Sequence, residues 1–129
     1  FGIGFCDRDF RMVRSNDALG ATAGITGEME VGRTIAEVVP EIWPELESLG
    51  FFDLLEEVYQ KGNTVRINEF RAPIDHLLDG TPRDAYFNFK YQPLFDNTNQ
   101  VEGIMVSAIE VTNLVKARQR AEALAKSVS

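Results

Sequence analysis

The chain has 129 residues, of which 44% are hydrophobic, and this is enough for one domain with a single core. Its 20 acidic residues outnumber 13 basic ones, and the resulting net charge of −7 repels both nucleic acid and an anionic bilayer. We therefore expect no nucleic-acid partner and no direct membrane contact, and no apolar run approaches the roughly 20 residues of a spanning helix. The lone Cys6 cannot form an internal disulfide, so we expect a cytoplasmic protein.

The first part of the chain predicts a hairpin and a series of short helices. Alternating residues at 2–6 and 10–14 predict two strands, which are separated by the turn-forming sequence DRD. Ser15 or Asn16 is suited to cap a short helix, which the following glycines interrupt. At 44–63 a stripe of apolar residues ends at Gly62 and Asn63, so we predict one long helix over this stretch.

Three extended runs, at 64–74, 84–95 and 101–111, predict the remaining strands. The connecting sequences DHLLDGTPR and DNTNQ are rich in turn formers. Two strands, a helical middle and three further strands are typical of an α+β fold, in which an antiparallel sheet pairs the first hairpin with the last three strands. After the last strand the chain continues without Gly or Pro into a charged helix.

The order of these elements resembles that of a PAS domain, the sensor module of bacterial histidine kinases and cyclic-dinucleotide enzymes. The likeness extends over nearly the whole chain and includes the segments DRDFRMVRSNDALGATAGITGEMEVGRTIAEVVPE and YQPLFDNTNQVEGIMVSAIEVTNLVKARQRAE. It implies a five-stranded antiparallel sheet with short helices and one longer helix on one face, and any ligand between the two layers. Residues 1–111 would form the sensor domain and residues 112–129 a signalling helix that leaves the sheet.

Two further segments, PEIWPELESLGFFDLLEEVYQKGN and AYFNFKYQPLFD, look most like those of PAS domains that precede a histidine kinase core. The resemblance therefore implies a downstream kinase domain in the same chain. If the protein is a hybrid kinase, a receiver domain would follow the kinase domain. Since there is no initiator Met, we expect a fragment of a longer protein that lacks the N-terminal capping helix of many PAS domains. Two alternatives remain open: the PAS domain of a diguanylate cyclase, and a dimerisation scaffold that binds no ligand.

No set of residues in the sequence predicts catalysis. His76 is the only histidine, so Ser-His-Asp and Cys-His arrangements are missing, and there is neither a GxGxxG after a strand nor a P-loop. Nothing near Cys6 supplies the further ligands of a metal site. We therefore predict a regulatory domain that is not itself an enzyme.

The features of cofactor-binding PAS domains are largely missing. The family's haem-binding histidines lie on or near the long helix, whereas His76 lies in the connection between two strands. Flavin photosensors of the superfamily carry a Cys in an Asn-Cys-Arg type motif after the first hairpin, where this chain reads SNDALGATAGIT. We expect neither haem nor flavin, and an unidentified small molecule remains open.

The aromatic residues at 86–91 favour core packing, with the stacking of a planar ligand as the second interpretation. If a cavity exists, the elements that face each other across the two layers would provide its lining. The residues that we predict to line it are Phe52, Leu55, Ile67, Phe87, Phe89, Met105 and Ser107.

The last strand meets the final helix at Glu110, Val111 and Thr112. Many PAS relatives carry Asp-X-Thr here, and the resemblance implies that this chain relays its signal through Glu110 and Thr112, with a carboxylate one methylene further out. Thr112 or Asn113 is suited to cap the helix.

The final helix carries apolar residues at alternating spacings of three and four, which predict a thin coiled-coil seam. Because Lys116, Arg118 and Arg120 make the other faces basic, we predict that the helix continues outward and that the chain forms a homodimer through its sheet and this helix. The alternative is an amphipathic helix that folds back on its own domain. The residues of the seam are Leu114, Ala117, Ala121, Leu124 and Val128.

Overall fold

The computed structural model describes residues 1–38, 40, 43–74 and 79–128. It contains five strands and, among the described residues, five α-helices. In chain order the elements are β1 Gly2–Cys6, β2 Met12–Ser15, α1 Asp17–Ala21, α2 Ile35–Val38, α3 Trp43–Ser48, α4 Phe51–Lys61, β3 Val65–Ile74, β4 Arg83–Phe95, β5 Val101–Glu110 and α5 Thr112–Ser127.

The five strands form one antiparallel sheet in the order β2-β1-β5-β4-β3. Strand β1 lies between β2 and β5, and it pairs Gly4 with Val106 across the centre of the sheet. The first hairpin is therefore joined to the last three strands, which confirms the predicted α+β fold. In the part of the chain that the structure describes, no helix combines the length and the apolar character needed to cross a bilayer.

The core lies between one face of this sheet and the helices. Helix α4 buries Phe51, Leu55 and Val58 on one stripe, and the ring of Phe51 meets Tyr91 of β4 edge-on, with centroids 5.4 Å apart. Helix α1 approaches the same face very closely: a Cβ added at Gly4 would lie 2.5 Å from Leu19 Cδ2. The Gly-rich first strand thus leaves room for α1.

The helix predicted over 44–63 is two helices, and the prediction of a single one is wrong. Gly50 separates α3 from α4 because its backbone is left-handed, with φ 72°, a conformation that interrupts an α-helix and that glycine adopts without a steric cost. Its carbonyl accepts the first hydrogen bond of α4, from the Leu54 N–H at 3.0 Å. The predicted end is confirmed: Gly62 has φ 66° and its N–H bonds the Val58 carbonyl.

The first short helix is capped by Asn16, one of the two predicted residues. Asn16 Oδ1 accepts hydrogen bonds from the N–H groups of Leu19, at 2.9 Å, and Ile3, at 3.1 Å. One side chain therefore caps α1 and holds it against β1. Ser15 has another role, since its Oγ accepts a hydrogen bond from the Met29 N–H at 2.8 Å and fixes the segment after α1.

Candidate functional site

The strand register decides which residues face the helices. Phe89 of β4 pairs with Ala108 of β5, and Tyr91 pairs with Val106; these side chains lie on the helix-covered face. Neighbouring positions point the opposite way because side chains alternate along a strand. A ligand held between the sheet and the helices would therefore contact Phe87, Phe89 and Tyr91, and we call this aromatic part of the core the aromatic space.

Met105 and Ser107 do not belong to this space, which corrects the sequence prediction. Ser107 pairs with Lys90 and Met105 with Gln92, so both side chains lie on the outer face of the sheet, next to the first strand. A shift of one residue in strand parity moves a side chain to the other face. Residues 101–111 carry apolar side chains on both faces, and the sequence alone therefore did not fix this parity.

Phe52 lies at the rim of the helical layer. It is 47% exposed, and its ring contacts Trp43, at a centroid distance of 5.0 Å, and Phe10, at 5.8 Å. It does not share the buried stripe of α4. Of the seven predicted lining residues, the structure brings four together between the sheet and α4: Leu55, Ile67, Phe87 and Phe89.

Three aromatic residues, Phe51, Phe70 and Tyr91, complete this group, and the predicted lining did not include them. Phe89 lies 6.2 Å from Phe70, 5.8 Å from Phe87 and 6.3 Å from Tyr91, measured between ring centroids. Burial raises the pKa of the Tyr91 phenol well above its ordinary value, so this group stays protonated. The lining also includes Phe51 of α4, and is therefore mostly aromatic.

A β-bulge explains why Phe70 was missed. The register of β3 shifts between Ile67 and Phe70, so both side chains face the helices although they are three residues apart. The apolar residues of β3 accordingly lie at 65 and 67 and then at 70 and 72. This change from odd to even positions is visible in the sequence, and it indicates both the bulge and the inward position of Phe70.

A separate cleft lies at the end of the domain, outside the sheet–helix space. Its volume is about 540 Å³, and it lies between the end of α4 and the β4–β5 turn. Arg8, Lys61 and Phe95 are among its lining residues, and the ring of Phe95 covers Gly62. This cleft is mixed in charge and open to solvent. We keep the aromatic space under α4 as the candidate for an apolar ligand because its residues are mostly aromatic, which suits such a ligand better than this mixed and open cleft.

The junction between β5 and α5 is tied to β4 by two hydrogen bonds. The Val111 N–H donates to the Tyr86 carbonyl at 2.7 Å, and the Tyr86 N–H donates to Thr112 Oγ1 at 3.0 Å. Thr112 is only 8% exposed. It is the first residue of α5 and not its cap, because the capping position is Val111, without a side-chain cap bond. Thr112 therefore attaches the start of the helix to the sheet.

Glu110 lies beside this attachment and pairs with Phe87 across the ladder. It borders a small hollow of about 210 Å³ together with Phe1 and Ala18. The structure thus brings Glu110 and Thr112 to the same end of β5, and their role in relaying a signal stays a prediction.

After its first turn, α5 no longer contributes to the core. Its buried residues are Thr112 and Val115. The predicted seam is uncovered: Leu114 is 68% exposed, Leu124 67% and Val128 80%, and Ala117 and Ala121 are exposed as well. The helix therefore does not fold back to bury this stripe on its own domain.

The single cysteine is a core residue. Burial, with a smaller contribution from the charge of Asp7, raises the pKa of the Cys6 thiol to about 12, and its Sγ lies 3.5 Å from Met12 Sδ. The thiol is protonated at neutral pH and is no nucleophile.

His76, on which the haem argument rests, lies outside the described residues. Within the described ranges, no three Cys, Asp or Glu side chains are grouped in a way that would hold a metal ion.

An antiparallel five-stranded sheet, covered on one face by helices around an aromatic space and continued by a helix attached at one end, defines a sensory type of domain. A family model described as the PAS fold matches residues 1–116. The chain belongs to the PAS family.

Solved structures agree with this assignment. The PAS domain of Bordetella pertussis BvgS is 23% identical, with a TM-score of 0.68, and the match covers 98% of this chain and 88% of that one. A sensory box sensor histidine kinase from Vibrio cholerae is 18% identical, with a TM-score of 0.62, over 87% and 82% of the two chains. At these identities the likeness shows the fold alone.

A third similar structure belongs to another class of protein. The Vibrio cholerae VqmA dimer in the absence of its target DNA, described in connection with LuxR-type receptors, is 19% identical with a TM-score of 0.70. The match covers 88% of this chain but 47% of VqmA, so the chain spans about half the length of that protein. The same fold therefore occurs both in a sensor histidine kinase and in a receptor of another class.

Proposed function

We propose that this PAS domain is the sensory domain of a multidomain signalling protein, a sensor histidine kinase, and that its signal leaves through α5. The attachment of α5 carries this proposal: the helix is bound to β4 at Thr112 and then leaves the sheet with its apolar seam uncovered. A helix that only completed the core would bury that stripe. We prefer a kinase to a cyclase because the similar Vibrio cholerae structure is a sensor histidine kinase.

We infer that a ligand of this domain binds between α4 and strands β3 and β4. The lining there is apolar and mostly aromatic, and such a lining suits a small planar or apolar molecule. Occupancy would change the packing of Phe89 and its neighbours, and a ligand shifts a conformational equilibrium only when it binds the two states with different affinity. Neither haem nor flavin is expected.

Native mass spectrometry and an absorption spectrum of the freshly purified chain test this site. We expect a bound small molecule that is retained by the wild type and lost from Ile67→Phe, in which a larger side chain fills the space. Ile109→Phe is the matched control, because the same change is made on the outer face of the sheet. Equal retention by the two variants would exclude the site, and an empty wild type would favour the ligand-free scaffold.

We further propose a homodimer formed through the outer face of the sheet and α5. Phe5 and Ile109 are exposed on that face, and the seam of α5 is exposed along its length. Sedimentation of the wild type should show a dimer that Leu124→Glu weakens. Ala123→Glu adds the same charge one residue off the seam and should leave the dimer intact. If both variants sediment like the wild type, the seam plays no part in association. We expect no nucleic-acid partner for this domain itself, because its net charge of −7 repels a phosphate backbone.

A further inference from the structure

Glu69 of β3 has an unusual backbone for a strand residue. Its φ is +54°, in the left-handed region, where a side chain crowds the backbone, and it lies within the bulge of β3. Its N–H donates to Asn88 Oδ1 of β4 at 2.8 Å. A side chain of the neighbouring strand therefore holds this bulge open.

The carboxylate of Glu69 reaches the final helix. Both of its oxygens accept hydrogen bonds from the guanidinium of Arg118, one of them from Nη1 at 3.0 Å and the other from Nη2. Such two-fold pairing fixes the direction of both side chains. The pKa of the Glu69 carboxyl lies below its ordinary value because of the hydrogen bond from Arg118. Arg118 also lies 3.7 Å from Glu122 on its own helix.

The bulge also borders the aromatic space. Phe70, the next residue, is buried and meets Phe89 edge-on, with centroids 6.2 Å apart. Ile67, just before the bulge, pairs with Phe89 in the ladder. Phe89 therefore adjoins both ends of the bulge, and Glu69, one of the two residues between these ends, pairs with α5.

We propose that the Glu69–Arg118 pair is a second attachment of α5, through which the bulge of β3 couples the aromatic core to the direction of the final helix. This inference deepens the proposed signalling role of α5 and rests on it. A bulge adds one residue to a strand, and its loss reverses the face on which the following side chains point. A change in the bulge therefore re-aims Glu69 and releases Arg118, while Thr112 still holds the start of the helix.

Hydrogen exchange of the ligand-free chain, followed by NMR, tests the attachment. Glu69→Gln should speed exchange of the α5 amides at 119–124 by about two- to fivefold, as expected for the loss of one exposed ion pair. In the wild type, about 0.5 M NaCl should give a similar increase by screening, and the variant, which retains the Arg118–Glu122 pair, should respond less to salt than the wild type. Glu122→Gln is the control, because it removes a carboxylate next to Arg118 without touching β3.

Glu69→Gly removes the ion pair but should keep the backbone of the bulge, and so distinguishes the two effects. Glycine favours the left-handed backbone, so the amide of residue 69 should keep its slow exchange while the α5 amides speed up as in Glu69→Gln. If Glu69→Gln leaves the α5 amides at the wild-type rate, the second attachment does not exist.

A double-mutant cycle tests the coupling to the core. Phe70→Leu should change the exchange of the α5 amides in the wild-type background and leave it unchanged in the Glu69→Gln background. Ile67→Val serves the same purpose if Phe70→Leu fails to fold. Equal effects in both backgrounds would overturn the coupling. Every measurement of this cycle is made without ligand. Failure of the cycle therefore does not affect the test for a bound molecule, and the cycle can be interpreted even if no bound molecule is found.

Discussion

The attachment of α5 to β4 depends on one hydroxyl, and its removal gives a sharp prediction. Thr112→Val keeps the shape of the side chain but leaves the Tyr86 N–H without the acceptor that now lies 3.0 Å away. Since Thr112 is 8% exposed, water does not readily replace that acceptor. A donor left without a partner costs about 1–3 kcal/mol, and the partial exposure of Tyr86 places our expectation at about 1–2 kcal/mol.

Urea unfolding measures this loss as a lower midpoint with an unchanged slope. Hydrogen exchange of the Tyr86 amide identifies its origin: the exchange should be faster in Thr112→Val and slow in Thr112→Ser. The serine variant keeps the acceptor and loses one methyl group, at a cost of about 0.8 kcal/mol. The reasoning fails if the Tyr86 amide of Thr112→Val exchanges as slowly as that of the wild type.

Three further predictions concern the core and the final helix. Because burial raises the pKa of Cys6 to about 12, a thiol reagent at neutral pH should label the chain in urea and leave the folded chain unlabelled; rapid labelling without urea would contradict this. Gly20→Ala should lower stability by about 1–3 kcal/mol or more in thermal unfolding, since its Cβ would lie 2.0 Å from the backbone oxygen of Gly27; a neutral effect would show that this contact yields easily. The hydrogen bond from Arg118, which also lies next to Glu122, lowers the pKa of Glu69. The stabilising contribution of Glu69 is therefore present above the ordinary glutamate pKa of about 4.3 and is lost as the pH falls through the lowered value. At such low pH the α5 amides should exchange faster after correction for intrinsic rates, and Glu69→Gln should remove this pH-dependent component.

The sequence predicted those features that repeat over several residues. The alternation of the strands and the stop at Gly62 were enough to place the sheet and the end of α4, because each is a local pattern. The break at Gly50 was harder to foresee, since its neighbours continue a helical stripe on both sides. A single left-handed residue ended α3 there.

The candidate site needed information that no local pattern contains. In β5, Ile104 and Val106 face the helices while Met105 and Ile109 face outward, so apolar character does not distinguish the faces. Pairing with β4 decides between them. The Glu69–Arg118 contact joins residues 49 positions apart, and it requires both the bulge and the path of α5.

The two attachments of α5 have different physical consequences. The hydrogen bonds at Tyr86 lie just beyond the last pair of the β4–β5 ladder and fix where the helix starts. The exposed Glu69–Arg118 pair should be weakened by salt, and we propose that it acts on the direction of the helix. Arg118 lies about 9 Å along the helix from Thr112, and Ser127 about 22 Å from it, at 1.5 Å per residue. If α5 turns about its first residue, a shift of about 1 Å at Arg118 becomes more than 2 Å at the end of the helix. Helix shifts of about 1–2 Å accompany switching at subunit interfaces, so a displacement of more than 2 Å at the end of α5 has the magnitude that our proposal requires.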